Sequence, residues 1–271
     1  MVHSSPLPVR VLLVEDEEAH FEITRALLTA AERTAFDLDW ARSYEEAVAA
    51  IAEGVHDIYL VDYFLEDRTG LDVIREVQRG PRQRPVIMLT GKGDRSVDLE
   101  AMRVGASDYL VKGTIDPQTL ERSIRYALEA HQAKAALLAA EARNRRTFEN
   151  LPVGLFRTGP EGEFLEANPA LREILGYPDD DVLRSGFARD SFVAPGDTES
   201  FRSSLDAKGG IEAFESELKR VDGSTVAVRV SAWRYREEVS GAEYVEGTVE
   251  LVAEKAHPAS VVAGPATPRL P

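Results

Sequence analysis

Short apolar runs alternate with amphipathic stretches over the first 125 residues of the chain. The runs are nearly unbroken by polar residues, a pattern typical of strands that are buried on both faces of a parallel sheet. Between them, apolar residues recur at the three- and four-residue spacing of helices. The predicted strands are Val9–Val14, Asp37–Ala41, Asp57–Val61, Pro85–Thr90 and Asp108–Val111. Five strands that alternate with five helices predict a doubly wound parallel five-stranded sheet, which is an α/β fold.

The fifth helix of this pattern begins at Pro117 and continues past the point where the domain should end. Residues 118–148 contain neither Gly nor Pro, and Ala133–Ala142 consists almost entirely of strong helix formers. We therefore expect one long helix that joins two domains. Six of its residues follow the alternating steps of a coiled coil: Ile124, Leu128, His131, Ala135, Leu138 and Ala142. Because only three of the six are large and apolar, a dimer seam and a solvated connector both stay open.

The pattern changes after Pro152 to that of an antiparallel sheet with short helices on one face, which predicts an α+β domain. Asp222-Gly223 is a strong hairpin signal between two long strand-like runs. The three long runs are Ala213–Arg220, Thr225–Tyr235 and Ala242–Leu251. We divide the chain into a flexible N-terminus at 1–8, the α/β domain at 9–130, a helical linker and candidate coiled coil at 131–147, the α+β domain at 148–254, and a disordered proline-rich tail at 255–271.

Composition narrows the classes of function. The chain has 47 acidic and 32 basic residues and a net charge of −15, which disfavours a nucleic-acid partner. It has no cysteine, which excludes disulfides, thiolate metal sites and cysteine nucleophiles. No apolar run approaches the roughly 20 residues that span a bilayer, and Met1–Pro8 does not have the pattern of a signal peptide. We therefore expect a cytoplasmic protein without a membrane partner.

Polar side chains follow four of the predicted parallel strands. Glu15 and Asp16 follow the first strand, Asp62 the third, and Lys112 the fifth, while Thr90 ends the fourth. The carboxyl ends of the strands in such a sheet meet at one edge, so these side chains should lie together. Three crowded carboxylates with no His or Cys favour Mg²⁺. A metal ion, an ammonium and a hydroxyl together suit a phosphoryl group.

Residues 8 to 130 resemble the receiver (CheY-like) domains of two-component response regulators. The resemblance rests on VLLVED, DIYLVDYFLEDRTGLD, VIMLTG and GASDYLVKG, which occur in the family's order and spacing. It implies that Asp62 accepts a phosphoryl group from a histidine kinase or a phosphotransfer protein. It also implies that Glu15, Asp16, Asp62 and the backbone carbonyl of Phe64 hold Mg²⁺.

Further roles follow from the same resemblance. Thr90 and Lys112 are expected to bind the phosphoryl group on the aspartate, and Tyr109 matches the aromatic residue that changes rotamer in the switch. Two positions depart from the family pattern. Gly113 replaces the usual Pro, so the placement of the lysine is less fixed. Phe64 is apolar where other members carry a polar side chain that orients water, so we expect slow self-dephosphorylation.

Residues 147 to 254 resemble a PAS domain through FENLPVGLFRTGPEGEFLEANPALREILGY, FESELKRVDGSTVAVRVSAWRY and VEGTVEL. Members of this family bind haem, flavin, small acids or nothing. The absence of cysteine excludes a cysteine-linked flavin, and the absence of His from residues 169–256 disfavours haem. Five aromatic residues could line a ligand pocket: Phe192, Phe201, Phe214, Trp233 and Tyr235. We expect instead that they belong to the hydrophobic core and bind no specific ligand.

Three hypotheses about function follow. The first is a response regulator that signals by protein contact through the linker helix and the PAS domain, with a homodimer as one form of that contact. The second is a scaffold or sensor that is not phosphorylated and uses the PAS domain to bind a ligand or partner. The third is a Mg²⁺-dependent phosphatase of the haloacid dehalogenase type, which needs an acid where this chain has Phe64. No kinase, cyclase or DNA-binding motif is recognisable, so we expect a protein that is not an enzyme.

Overall fold

The structure is a computed structural model that describes residues 7–91, 95–159, 162–179, 192–237 and 241–252. The chain divides into two compact units, Met1–Ala140 and Glu141–Pro271, and each is described by itself. Residues 1–6 of the predicted flexible N-terminus and the whole predicted tail at 255–271 lie outside the described residues.

The first unit contains a five-stranded parallel sheet, with the strands β1 (Val9–Val14), β2 (Phe36–Ala41), β3 (Ile58–Asp62), β6 (Val86–Thr90) and β7 (Asp108–Val111). Their order across the sheet is β2-β1-β3-β6-β7. Its helices are α1 (Glu18–Thr29), α2 (Tyr44–Glu53), α3 (Gly70–Arg79), α4 (Arg95–Val104) and the first part of α5 (Pro117–Asn150). The predicted α/β fold is confirmed. A two-stranded ribbon that the sequence did not predict, β4 (Phe64–Leu65) with β5 (Arg68–Thr69), follows β3.

The core of this unit lies on both faces of the sheet, which explains why the strands are mostly apolar. Along β1, Leu12 and Val14 belong to one buried cluster, while Val11 and Leu13 belong to a second. Successive side chains of a strand point to opposite faces, so a strand that is covered on both sides needs apolar residues at every position.

Helix termini follow the local sequence signals. The Ser43 side chain caps α2 by accepting a hydrogen bond from the Glu46 backbone N–H. The Glu46 carboxylate accepts from the Arg42 N–H, one residue before the N–H that it would bind in a capping box. Gly105, with φ of 110°, ends α4 in a conformation that residues with a side chain rarely adopt.

Helix α5 runs without a break over 34 residues, as the sequence predicted. The predicted coiled-coil register is wrong in its first half. Ile124 is fully buried in the core of the first unit and Leu128 packs against the same cluster, so neither is free to form a seam. Leu137 and Leu138 are 59% and 55% exposed. The part of the helix that is available for association therefore lies after Leu128.

The second unit contains an antiparallel sheet, as predicted for the α+β domain, with the strands β8 (Gly154–Thr158), β9 (Phe164–Ala167), β10 (Gly210–Lys219), β11 (Thr225–Arg236) and β12 (Glu243–Leu251). Their order across the sheet is β10-β11-β12-β8-β9. The described helices of this unit after α5 are α6 (Pro169–Leu175) and α7 (Pro195–Lys208). The sequence did not predict α7, because its Gly, Ser and Asp residues are weak helix formers. Leu205 and Phe201 pack against the sheet side of the domain, and this packing stabilises α7 although its sequence has a low helix propensity.

No helix within the described ranges is both long and apolar enough to cross a membrane.

Candidate functional site

The carboxyl ends of the parallel strands bring the predicted acidic residues together. Glu15, Asp16 and Asp62 each offer an oxygen, and these oxygens all lie within 4.8 Å of one another. Glu15 is completely buried and Asp62 is 5% exposed. Buried carboxylates at this spacing repel each other unless a cation lies between or beside them.

Lys112 provides that cation in the structure. Its Nζ lies 2.7 Å from Glu15 Oε2 and 2.8 Å from Asp62 Oδ1, so one ammonium bridges two of the three carboxylates. The lysine stands at the start of a short 3₁₀ turn, Lys112–Thr114, directly after β7. The site therefore still holds more negative than positive charge.

The pKa of Asp62 is raised to about 6. Burial is the largest cause, because it penalises the charged carboxylate. The neighbouring Glu15 charge acts in the same direction, while the Lys112 ammonium opposes both. At pH 7 most of the Asp62 carboxyl groups are therefore ionised, at a cost in stability to the folded protein.

The chain approaches Asp62 closely at Gly70. A Cβ at this position would lie 2.2 Å from the Asp62 carbonyl oxygen, which no side chain tolerates. The Gly70 N–H also donates to the Tyr63 carbonyl at 2.8 Å. Helix α3 thus begins against the backbone that carries Asp62, and only glycine allows this contact.

The other predicted site residues differ in their surroundings. Thr90 is buried at the end of β6, one residue beyond Leu89, which pairs with Asp62 in the sheet. Tyr109 is 39% exposed on β7. Phe64 is 69% exposed, with its ring edge-to-face against Tyr63.

Two residues beside the carboxylates were not predicted from the sequence. His20 Nδ1, on the first turn of α1, lies 3.3 Å from Lys112 Nζ and 3.4 Å from Glu15 Oε1. Trp40 Nε1 donates to the Glu15 carbonyl at 2.7 Å. The position of His20 one helical turn after Glu15-Asp16 was a usable signal, since a helix that starts there keeps its first turn near the strand end.

The donor set suits a hard divalent cation. Glu15, Asp16 and Asp62 offer only oxygen atoms, at a spacing that a single ion can bridge, and the net charge of the cluster is negative. These properties favour Mg²⁺ over metals that prefer nitrogen or sulfur.

The second unit contains a cavity of about 400 Å³. Its wall is mostly apolar and includes Phe156, Phe164, Leu171, Phe192, Phe201 and Leu218. Phe192 and Phe201 therefore line a pocket, and Phe214 contacts both rings. Our interpretation of Trp233 and Tyr235 as core is wrong, because they are 45% and 48% exposed.

Asn168 is the buried polar residue that organises the start of this domain. It caps α6, with its side-chain oxygen accepting from the Leu171 and Leu155 N–H groups. Its amide nitrogen donates to the carbonyls of Val153 and of Phe148, in the last turn of α5. All four hydrogen bonds of the amide are made, so the side chain ties the end of α5 to the first strand and first helix of the domain.

Comparison with known domain families gives a match in each unit. Residues 11–125 match the response regulator receiver domain, and residues 142–207 match a PAS domain.

Curated relatives carry names of the same kind. The two-component response regulator PhoP of Pseudomonas aeruginosa is 28% identical, with 77% of this chain and 94% of PhoP aligned. The transcriptional regulatory protein ResD of Bacillus subtilis is 28% identical, over 61% of this chain and 69% of ResD. The transcriptional regulatory protein DltR of Streptococcus agalactiae is 33% identical, over 38% of this chain and 45% of DltR. The chain thus spans less than half the length of DltR.

Solved structures similar to this chain include a response regulator receiver domain protein from Clostridium thermocellum. It is 26% identical, with 46% of this chain and 98% of that chain covered, at a TM-score of 0.42. The chemotaxis protein CheY4 of Vibrio cholerae is 24% identical, with 45% and 99% covered, at a TM-score of 0.41.

Proposed function

We propose that this chain, which carries a response regulator receiver domain followed by a PAS domain, is a phospho-accepting regulator and not an enzyme that acts on other substrates. The phosphoryl group would come from a histidine kinase or a phosphotransfer protein. One observation carries the proposal: a buried aspartate, Asp62, lies 2.8 Å from a lysine ammonium and beside two further carboxylates. This arrangement supplies a nucleophile, a cation and metal ligands at one strand edge.

The residues of this site suit attack by a carboxylate on phosphorus. An Asp62 oxygen forms the new P–O bond while the P–N bond to the donor imidazole breaks, and the imidazole leaves with its electron pair and takes up a proton. Lys112 lies where its ammonium can pair with a phosphoryl oxygen, and we assign the Thr90 hydroxyl to another. Mg²⁺ held by Glu15, Asp16, Asp62 and the Phe64 carbonyl would neutralise charge on the phosphoryl oxygens.

The direct test is incubation of the full chain with Mg²⁺ and acetyl phosphate, followed by intact mass measurement. We expect an increase of one phosphoryl group, which hydroxylamine removes because acyl phosphates react with it. A chain that gains no mass, or gains a group that resists hydroxylamine, contradicts the proposal.

Replacing Glu15 with Gln and Asp16 with Asn together should weaken Mg²⁺ binding by at least about tenfold. The double variant keeps the size of both side chains and one oxygen of each, but removes two negative charges beside the metal. Calorimetric titration of the full chain with Mg²⁺ measures the change. The control is Glu18→Gln with Glu22→Gln, which removes the same charge from exposed positions of α1. Equal affinities in the two double variants would contradict the metal assignment.

We further propose that the output is protein contact through α5 and the PAS domain. Helix α5 is continuous from Pro117 to Asn150, so a change at the receiver end can move along it as rotation or translation. Leu137 and Leu138 are large apolar side chains with more than half their surface exposed. Exposed leucines on an Ala-rich helix provide a weak contact between two chains, which a small bias can strengthen or break.

Phosphorylation is therefore expected to change the fraction of chains that associate. Light scattering with and without phosphoryl donor should detect a shift of up to about twofold in mean mass. Leu137→Glu with Leu138→Glu should leave the chain monomeric in both conditions, since the introduced charges repel across a dimer. Ile23→Glu, at an exposed position of α1, is the control and should behave as wild type. A wild type that is monomeric in both conditions, or a double variant that associates as wild type does, would refute this output.

A sensor function for the PAS domain is the second candidate, and the cavity of about 400 Å³ favours it. The apolar and aromatic wall suits a small apolar molecule. Native mass spectrometry of the purified full chain tests this function, because a bound molecule adds mass that denaturation removes.

A further inference from the structure

The ammonium of Lys112 has three protons and three neighbouring acceptors. Glu15 Oε2 lies at 2.7 Å and Asp62 Oδ1 at 2.8 Å, and His20 Nδ1 is the third neighbour at 3.3 Å. The first two are the charged groups that the proposed phosphoryl transfer uses. The third comes from α1 and is not among the groups that bind the phosphoryl group or the metal in that transfer.

The residue after Lys112 adds no side-chain packing to the turn that carries the lysine. The next residue, Gly113, is exposed, and a Cβ placed there would meet nothing within 4 Å. Glycine allows more backbone conformations than any other residue. The position of the ammonium therefore depends on what the lysine side chain contacts.

Helix α1 is fixed on the side where His20 lies. The ring of Phe21, the next residue, stacks on Trp40 at 4.1 Å with planes 8° apart. Trp40 in turn donates a hydrogen bond to the Glu15 carbonyl. His20 is thus carried by a helix whose rotation is set against the strands that carry the acidic residues.

We propose that His20 is a positioning residue that holds the Lys112 ammonium toward Asp62; this inference rests on the proposed phosphoryl transfer. With its proton on Nε2, His20 accepts from Lys112 directly. With its proton on Nδ1, it donates to Glu15 Oε1 at 3.4 Å or to Glu17 Oε2 at 3.1 Å. The bond to Glu15 holds in place the carboxylate that is paired with Lys112. His20 therefore positions the lysine in this tautomer as well, through Glu15.

A role for His20 as a metal ligand fits the geometry less well. The ligand atoms of Glu15, Asp16 and Asp62 lie within 4.8 Å of one another, and His20 does not belong to that group among the described residues. The proposal therefore separates two effects: loss of His20 should slow phosphoryl acceptance while leaving Mg²⁺ affinity unchanged.

His20→Leu is expected to slow formation of the phosphoryl adduct by about fivefold, the change that loss of one hydrogen bond produces. The rate is measured on the full chain with acetyl phosphate at saturating Mg²⁺, by intact mass over time. His20→Gln, which can both accept and donate, should react within about twofold of wild type. Mg²⁺ affinity by calorimetry and the melting temperature should be unchanged in both variants.

Two further variants complete the test. His131→Leu makes the same substitution on α5 and should react as wild type does. His20→Ala removes the imidazole without adding apolar bulk, and should be as slow as His20→Leu even if the leucine lowers the melting temperature.

Three results would overturn the proposal: a rate for both His20→Leu and His20→Ala within twofold of wild type, a glutamine variant as slow as the leucine variant, or a parallel loss of Mg²⁺ affinity. A wild-type chain that takes no phosphoryl group overturns the proposed function, and the role of His20 falls with it. If the wild type takes up the phosphoryl group and the His20 variants take it up at the same rate, only the role of His20 is overturned.

Discussion

Asp62→Asn is expected to eliminate the phosphoryl adduct and, in the absence of Mg²⁺, to make the folded protein more stable. The amide oxygen of asparagine is a poor nucleophile, so the bond to phosphorus does not form. The neighbouring Lys112 and Glu15 stay in place, since Asn has nearly the same shape as Asp. The adduct is measured by intact mass after incubation with Mg²⁺ and acetyl phosphate.

The gain in stability follows from the pKa of Asp62, which is raised from 3.8 to about 6. The folded protein keeps the Asp62 proton to a higher pH than the unfolded chain does. As pH rises from about 4 to about 6, the wild type loses stability that the asparagine variant keeps. A shift of about two units corresponds to at most about 3 kcal/mol at pH 7, and we expect a gain of about 1–3 kcal/mol because asparagine does not reproduce every hydrogen bond of the protonated carboxyl group.

Urea unfolding in EDTA at pH 4 and pH 7 measures this difference. The variant and the wild type should have similar midpoints at pH 4, and the variant should be the more stable at pH 7. Asp67→Asn is the matched control, since Asp67 is exposed in the turn between β4 and β5 and should change neither readout. An Asp62→Asn chain that still takes up a phosphoryl group, or that is less stable than wild type at pH 7, would contradict the role given to this carboxylate.

The sequence was sufficient to predict the parallel sheet and the acidic residues at its edge. Runs such as Val9–Val14 and Val86–Thr90 are apolar except at Arg10 and Thr90, because both faces of the sheet are covered, and their shortness favours strands over helices. The ends of those strands are fixed by the same pattern. Polar residues that follow them, such as Glu15 and Asp62, could therefore be placed at one edge before any side-chain contact was known.

Features that depend on packing between distant segments were missed. Helix α7 forms because Leu205 is buried against the second domain, although its own sequence favours a loop. The ribbon of β4 and β5 contains two residues in each strand, too few for a period of two to appear. The spacing of His20 from Glu15-Asp16 places it near the strand end, but its contact with Lys112, 92 residues away, depends on how the two segments pack.

The coiled-coil register failed for a related reason. Ile124 and Leu128 have the spacing of a seam between chains, but the same spacing places them on the side of α5 that covers the sheet of their own domain. A stripe of apolar residues on a helix predicts a buried face and does not identify what buries it. The exposure of Leu137 and Leu138 distinguishes the part of α5 that is free to contact a partner from the part that covers its own domain.

Asn168→Ala is expected to destabilise the PAS domain by about 3–5 kcal/mol, because the substitution removes the partner of two N–H groups and two carbonyls, which lie in buried or half-buried residues. The residue is completely buried, so water cannot replace the lost hydrogen bonds without opening the structure. Two tryptophans occur in the chain, one in each domain. In a Trp40→Phe background, the fluorescence of Trp233 therefore reports the unfolding of the PAS domain alone.

The matched control is Asn150→Ala, which removes an exposed amide that donates only to the Arg146 carbonyl within α5. This control should change the free energy of unfolding by no more than about 0.5 kcal/mol, as most surface substitutions do. The difference in free energy of unfolding between the two variants measures the effect of the buried Asn168 side chain and its four hydrogen bonds. One of those bonds ends on Phe148 in α5, so the Asn168 variant should also detach the last turn of that helix from the PAS domain. Hydrogen exchange at the amides of residues 146–151 measures this: faster exchange than in the Asn150 variant is expected. Unchanged exchange together with unchanged stability would mean that Asn168 does not join the helix to the domain.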